Sequence, residues 1–197
     1  MRIITIDFET AWNSRDYSIS KMNLDQYIND SRFHAQLFGF RINISEVNII
    51  DGRHDASIRT AIRELGLDRP YTITVGHNIR KFDALILKIK YGVTPSFILD
   101  TMEMSRFLGI VRSKNGGSHK ELTRVLGNGV KTSGTVISDG KKWPNDFSVL
   151  EQQQFIRYCY EDVLQCSNNY YHMVDIVHGR KRHPSESGQL NFSQVPA

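Results

Sequence analysis

"MRIITIDFET", residues 1–10, is a run of β-branched and apolar side chains that closes on two acids and a threonine. Such a run marks a strand buried on both faces. On a strand, side chains two apart project from one face, so Asp7 and Glu9 point the same way. Ile6 and Phe8 then face the opposite way, into apolar surroundings. Two neighbouring anions repel one another unless something neutralises them. A divalent cation does so, and hard cations such as Mg²⁺ prefer carboxylate oxygen. An acidic strand end in plain solvent fits the same residues, and this stretch alone leaves both readings open.

Working outward, "QLFGFRINISEVNIIDG", residues 36–52, carries two more strand-like runs separated by Asn43 to Glu46, which predicts a hairpin after the first strand. "DASIRTAIRELG" has helical spacing, with Ile58, Ile62 and Leu65 on one face and Gly66 as the stop. "YTITVGHN" reads as a short strand ending in a loop. "KFDALILKIKYG" reads as a helix stopped at Gly92, and "SFILDTMEMSRFLGI" as a strand turning helical. Ser113 to Gly117 reads as a polar surface loop. "SHKELTRVLG" is a short helix with Ser118 and Glu121 in a capping-box pattern. Residues 127–147, rich in Gly, Ser, Lys and Asn, predict an irregular excursion. A last long helix is expected from about Ser148 to Val177. The expected architecture is α/β: a central mixed β-sheet flanked by α-helices. Residues 1–178 would form one domain and 179–197 a flexible tail, since the tail has little to bury.

Two further motifs share the acidic chemistry of the first strand. In "VGHNIRKFDALIL", Asp83 opens a helix that follows a strand, where the helix N-terminus favours a carboxylate. Gly76, His77 and Asn78 form the loop before it and carry polar groups that suit a ligand or a simple turn. In "RYCYEDVLQC", residues 157–166, Tyr158 and Asp162 stand one turn apart and share a helix face. Asp162 is flanked there by apolar surface, and a buried aspartate without a partner is costly.

Composition narrows the class. The chain has 197 residues, 40% hydrophobic and 23% charged, enough for one ordinary domain. Lys and Arg outnumber Asp and Glu by 25 to 21, a net charge of +4 that mildly favours polyanionic partners. Cys159 and Cys166 fall on one helix, about 10 Å apart at helical rise, too far for a disulfide, so free thiols of a reducing compartment are expected. No apolar run approaches a membrane span and no signal-peptide pattern is visible, so a cytoplasmic, membrane-free protein is expected.

The order Asp-x-Glu on strand one, Asp after a Gly-His-Asn loop, and Tyr-x-x-x-Asp on the last helix resembles the DEDD superfamily of 3′–5′ exonucleases, in its tyrosine subclass. In the sister subclass a histidine stands five residues before the final Asp; that position here is Arg157. Outside the motifs, "YSISKMNLDQYINDSRFHAQLFGFRI", "DTMEMSRFLG", "ELTRVLG…VKTSG" and "YCYEDV" are similar to the exonuclease module of phage family A DNA polymerases, over roughly residues 3–175. One departure is that Ile79, Arg80 and Lys81 separate Asn78 from Phe82, one residue more than many members carry.

The resemblance implies a ribonuclease H-like exonuclease fold and two-metal phosphodiester hydrolysis with Mg²⁺ or Mn²⁺. It implies that Asp7 bridges both ions, that Glu9 and Asp162 complete the site activating the water, and that Asp83 holds the second ion. Tyr158 would orient that water as a neutral phenol. Phe8, Thr10, His77, Asn78 and Phe82 are the expected substrate contacts, with Lys81, Lys131, Lys141 and Lys142 as phosphate contacts. The expected partners are single-stranded DNA or DNA 3′ ends, with a separate DNA polymerase polypeptide as a further possible partner. If phage-encoded, the protein would work in the host cytoplasm. The alternatives are an RNA 3′–5′ exonuclease of ribonuclease D type and a catalytically silent docking or nucleic-acid-binding module.

Overall fold

A computed structural model describes residues 1–111, 117–129 and 135–180. Lys131, most of the Ser113–Gly117 loop and the tail from residue 181 onward lie outside the described residues. The chain runs β1 (Arg2–Thr10), α1 (Leu24–Asn29), β2 (Ala35–Ile42), β3 (Val47–Asp51), α2 (Asp55–Leu65), β4 (Thr72–Gly76), a 3₁₀ turn (Ile79–Lys81), α3 (Asp83–Tyr91), β5 (Phe97–Asp100), α4 (Thr101–Phe107), α5 (His119–Val125), a second 3₁₀ turn (Thr135–Ser138) and α6 (Val149–Val177).

The five strands form one mixed sheet in the order β3-β2-β1-β4-β5. β1 lies at its centre, antiparallel to β2 and parallel to β4. Its alternation explains both faces. Ile4, Ile6 and Phe8 enter the larger core with Ile58 and Ile62 of α2 and Ile86 and Leu87 of α3. Ile3, on the opposite face, packs with Val75, Cys166 and Tyr170. Asp7 and Glu9 share that second face by strand parity, so they project toward the side covered by α6.

The expected hairpin forms between β2 and β3. Gly66 ends α2 in the left-handed conformation at φ 58°, which glycine adopts without steric cost. α6 starts where expected: Ser148 accepts from Glu151 N, and the Glu151 side chain returns to the cap. Cys159 and Cys166 are free and buried on α6.

The segment read as an irregular excursion is more than a surface loop. Trp143 and Phe147 are buried with Phe155, Cys159 and Leu37 in a second core cluster. Trp143 Nε1 donates to Asp51 Oδ1 at 2.8 Å, tying the segment to β3. The polar composition of residues 127–147 concealed two large aromatic anchors.

Candidate active site

β1 delivers Asp7 and Glu9, both part-exposed, to the α6 side of the sheet. α6 delivers Tyr158 and Asp162, both buried, from adjacent turns. α3 delivers Asp83, also buried, at its first residue. All five line one cleft of about 400 Å³, together with Phe8, His77, Asn78, Lys81, Phe82, Ile19, Leu24 and His119.

Local contacts hold Asp83 and Asp162 in place. Phe8 N donates to Asp83 Oδ1 at 3.1 Å, which pins the start of α3 against β1 between the two strand acids. Burial pushes the Asp83 carboxyl well above its ordinary range, and the nearby Asp7 pushes it further. Burial, then Glu9, Asp162 and Asp7, push the Tyr158 phenol upward, and its hydrogen bond to Asp162 adds to this. Tyr158 therefore stays neutral across the working pH range and acts as a hydrogen-bonding group.

The loop after β4 is held by Asp100. Its Oδ1 accepts from Asn78 N at 2.9 Å and from Met102 N at 2.9 Å, so one carboxylate both caps α4 and fixes the loop. Asn78 takes the left-handed conformation at φ 57°, which asparagine tolerates better than most residues. His77 Nδ1 lies 3.0 Å from Thr101 Oγ1.

The donor set suits a hard cation. Ligand atoms of Asp7, Glu9 and Cys159 lie within 4.8 Å of one another. Burial and the surrounding carboxylates push the Cys159 thiol well up, so in this environment it is a neutral thiol, and the charged donors are carboxylate oxygens. Asp83, buried beside Asp7, is favoured in its charged form when positive charge enters the cleft.

Of the expected substrate contacts, Phe8, His77, Asn78 and Phe82 line the cleft and Thr10 does not. Tyr27 O–H donates to Ala11 O, and the Thr10 hydroxyl lies 2.8 Å from the Tyr27 oxygen. The ring of Phe8 packs against Phe38 and Tyr91, with centroids 4.6 and 5.8 Å away, so a core role dominates. Lys141 pairs with Glu151. Sequence reasoning missed His119, which lines the cleft and stacks on His77 at 5.0 Å between centroids. In the sequence it reads only as the residue after a helix cap.

No family model matches this chain. No curated protein matches it either. Solved structures do. The chain is similar to Brucella melitensis NrnC bound to pGG, at 18% identity and TM-score 0.59, over 90% of this chain and 75% of that one. It is similar to Escherichia coli RNase D, an exoribonuclease involved in structured RNA processing, at 18% identity and TM-score 0.59, over 90% of this chain and 40% of that one. It is similar to the family B DNA polymerase of the archaeon Pyrobaculum calidifontis at 14% identity and TM-score 0.62, over 90% of this chain and 25% of that one. The fold is the ribonuclease H-like exonuclease fold. Among the described residues, no helix is long and apolar enough to cross a membrane.

Proposed function

We propose that this chain is a metal-dependent 3′–5′ exonuclease of the tyrosine type, removing nucleotides from single-stranded or frayed DNA 3′ ends. The observation that carries this reading is the meeting of Asp7, Glu9, Asp83, Tyr158 and Asp162 in one cleft from three separate elements. Asp7, Glu9 and Asp162 would hold one Mg²⁺ or Mn²⁺, and Asp7 with Asp83 a second. Bound there, the ions supply an activated water and charge neutralisation at phosphorus.

The chain's own residues do the rest. Tyr158, neutral and donating to Asp162, orients the attacking water by accepting from it on the phenol oxygen. Positive charge in the cleft would favour the ionised form of Asp83 against the burial that raises its carboxyl, and Phe8 N–H, donating to Oδ1, holds the group in place. Lys81, exposed on the cleft wall, offsets the acids for an incoming phosphate backbone. Phe82 and the loop residues His77 and Asn78 flank the place of the terminal nucleotide.

The similarity to phage family A exonuclease modules supports DNA as substrate and a proofreading role beside a separate polymerase polypeptide. RNA is the second reading, supported by the likeness to an exoribonuclease. Digestion of 5′-labelled single-stranded DNA and its RNA equivalent, with Mg²⁺, Mn²⁺ or EDTA and alongside Asp7→Ala, tests both. A metal-dependent ladder shrinking from the 3′ end of DNA, absent in the mutant, is the expected result. Faster loss of RNA would move the reading to an RNA exonuclease, and binding without cleavage would move it to a docking module.

A further inference from the structure

His119 reaches the cleft from α5, an element that carries none of the acids. Ser118 caps that helix by accepting from Glu121 N at 3.2 Å, which sets His119 at the first helical position. α5 is docked on α6 through Leu122, Leu126 and Met173. Asn169, fully buried on α6, donates to Thr123 Oγ1 at 2.9 Å and accepts from Asn128 Nδ2 at 2.8 Å. This docking brings His119 Nδ1 to 3.9 Å from Asp162 Oδ1, with side chains only 9% and 7% exposed.

The ring is also held on its face. It stacks on His77 with centroids 5.0 Å apart and planes 24° apart. His77 is fixed in turn, because Thr101 Oγ1 donates to Gly76 O at 3.2 Å and so accepts from His77 Nδ1–H at 3.0 Å. A chain of contacts thus runs from the end of β4 through two imidazoles to the α6 carboxylate.

We infer that His119 is a positioning residue for Asp162, orienting that carboxylate in the cleft rather than touching substrate. An ionised carboxylate only accepts, so the orienting contact uses the tautomer of His119 that carries its hydrogen on Nδ1. The gap is longer than a hydrogen bond, as such contacts often are before a site is loaded. With both side chains almost fully buried, the low local dielectric strengthens the attraction of an N–H dipole for a carboxylate 3.9 Å away. The inference rests on the metal-dependent reading above, and partners of this kind are worth about 10–100-fold in metal affinity.

The test is Mn²⁺ binding to the full chain, by electron paramagnetic resonance and by the Mn²⁺-induced rise in Tm, for wild type, Asp7→Ala, His119→Ala, His119→Asn and His119→Gln. His119→Ala is expected to bind Mn²⁺ about 10-fold more weakly, with kcat reduced and KM for DNA unchanged. His119→Asn places an amide nitrogen where Nδ1 stands and should restore most of the affinity. His119→Gln places it at the Nε2 position and should not. The Asn and Gln pair keeps the test decisive if His119→Ala does not fold. Wild-type affinity in His119→Ala, or equal behaviour of Asn and Gln, overturns the inference alone. Wild type that binds Mn²⁺ no better than Asp7→Ala removes the metal site itself, and this inference with it.

Discussion

Gly39→Ala tests how the sheet positions the site. Gly39 of β2 stands directly opposite Asp7 in the β1–β2 pairing. A Cβ there would meet Val163 Cγ2 at 2.7 Å, Cys159 Sγ at 3.0 Å and Ile49 Cδ1 at 3.2 Å. Comfortable carbon contacts lie near 3.5–4.0 Å, so α6 must lift by about 1 Å. Overpacking of this kind costs about 1–3 kcal/mol. Gly39 lies in β2 with no positive φ, so alanine regains about 0.4–1 kcal/mol through the unfolded chain. The net loss lies between about 0 and 2.6 kcal/mol, centred on about 1.3 kcal/mol, or roughly 3–5 °C in Tm for a domain of this size. Tyr158 and Asp162 flank the lifted contacts, and a displacement of about 1 Å at a reacting geometry costs on the order of 100-fold in rate. Thermal melting and the DNA digestion assay read the two effects. Val163→Ala in the Gly39→Ala background should recover part of both losses. Wild-type Tm and rate in Gly39→Ala would refute the claim that the missing side chain seats α6 on the sheet.

Tyr158→Phe should reduce exonuclease rate by about 100-fold or more, the scale of a positioned proton-handling group, while Mn²⁺ affinity stays within a factor of about 3; full loss of metal binding would show a ligand role instead. Asp83, with its carboxyl raised above 3.8 in the folded state, makes the metal-free protein hold more protons than the unfolded chain, so Tm in EDTA should fall as pH rises from about 5. Asp30 and Glu151, held at about 2 by Arg32 and Lys141, add their stability below that window and do not mask it. Excess Mg²⁺ should flatten this slope, and Asp83→Asn should abolish it in EDTA; a slope unchanged in Asp83→Asn assigns it elsewhere. Asn169→Ala leaves Thr123 and Asn128 without their buried partner and should cost about 2–3 kcal/mol by calorimetry, with a loss of Mn²⁺ affinity because α5 carries His119.

The sequence by itself determined most of the elements and their facing. The β-branched run before Asp7 makes β1 a central strand, and a period of two sets Asp7 and Glu9 on one face with Ile6 and Phe8 on the other. Caps and stops marked helix ends because Ser148, Gly66 and Gly92 act through local backbone geometry. Spacing also placed Tyr158 and Asp162 on one helix face, since that relation depends only on helical pitch. Tertiary structure decided what local rules do not reach. Trp143 and Phe147 proved to be core because burial depends on what lies opposite, not on polar neighbours in the chain. The ring of Phe8 faces inward as strand parity requires, but its partners Phe38 and Tyr91, and the meeting of the Thr10 hydroxyl with Tyr27, are set by cross-strand and inter-element contacts. His119 arrives beside Asp162 only because α5 docks on α6 through Met173 and Asn169. That contact joins residues distant along the chain, and no periodicity in the sequence encodes such a distance.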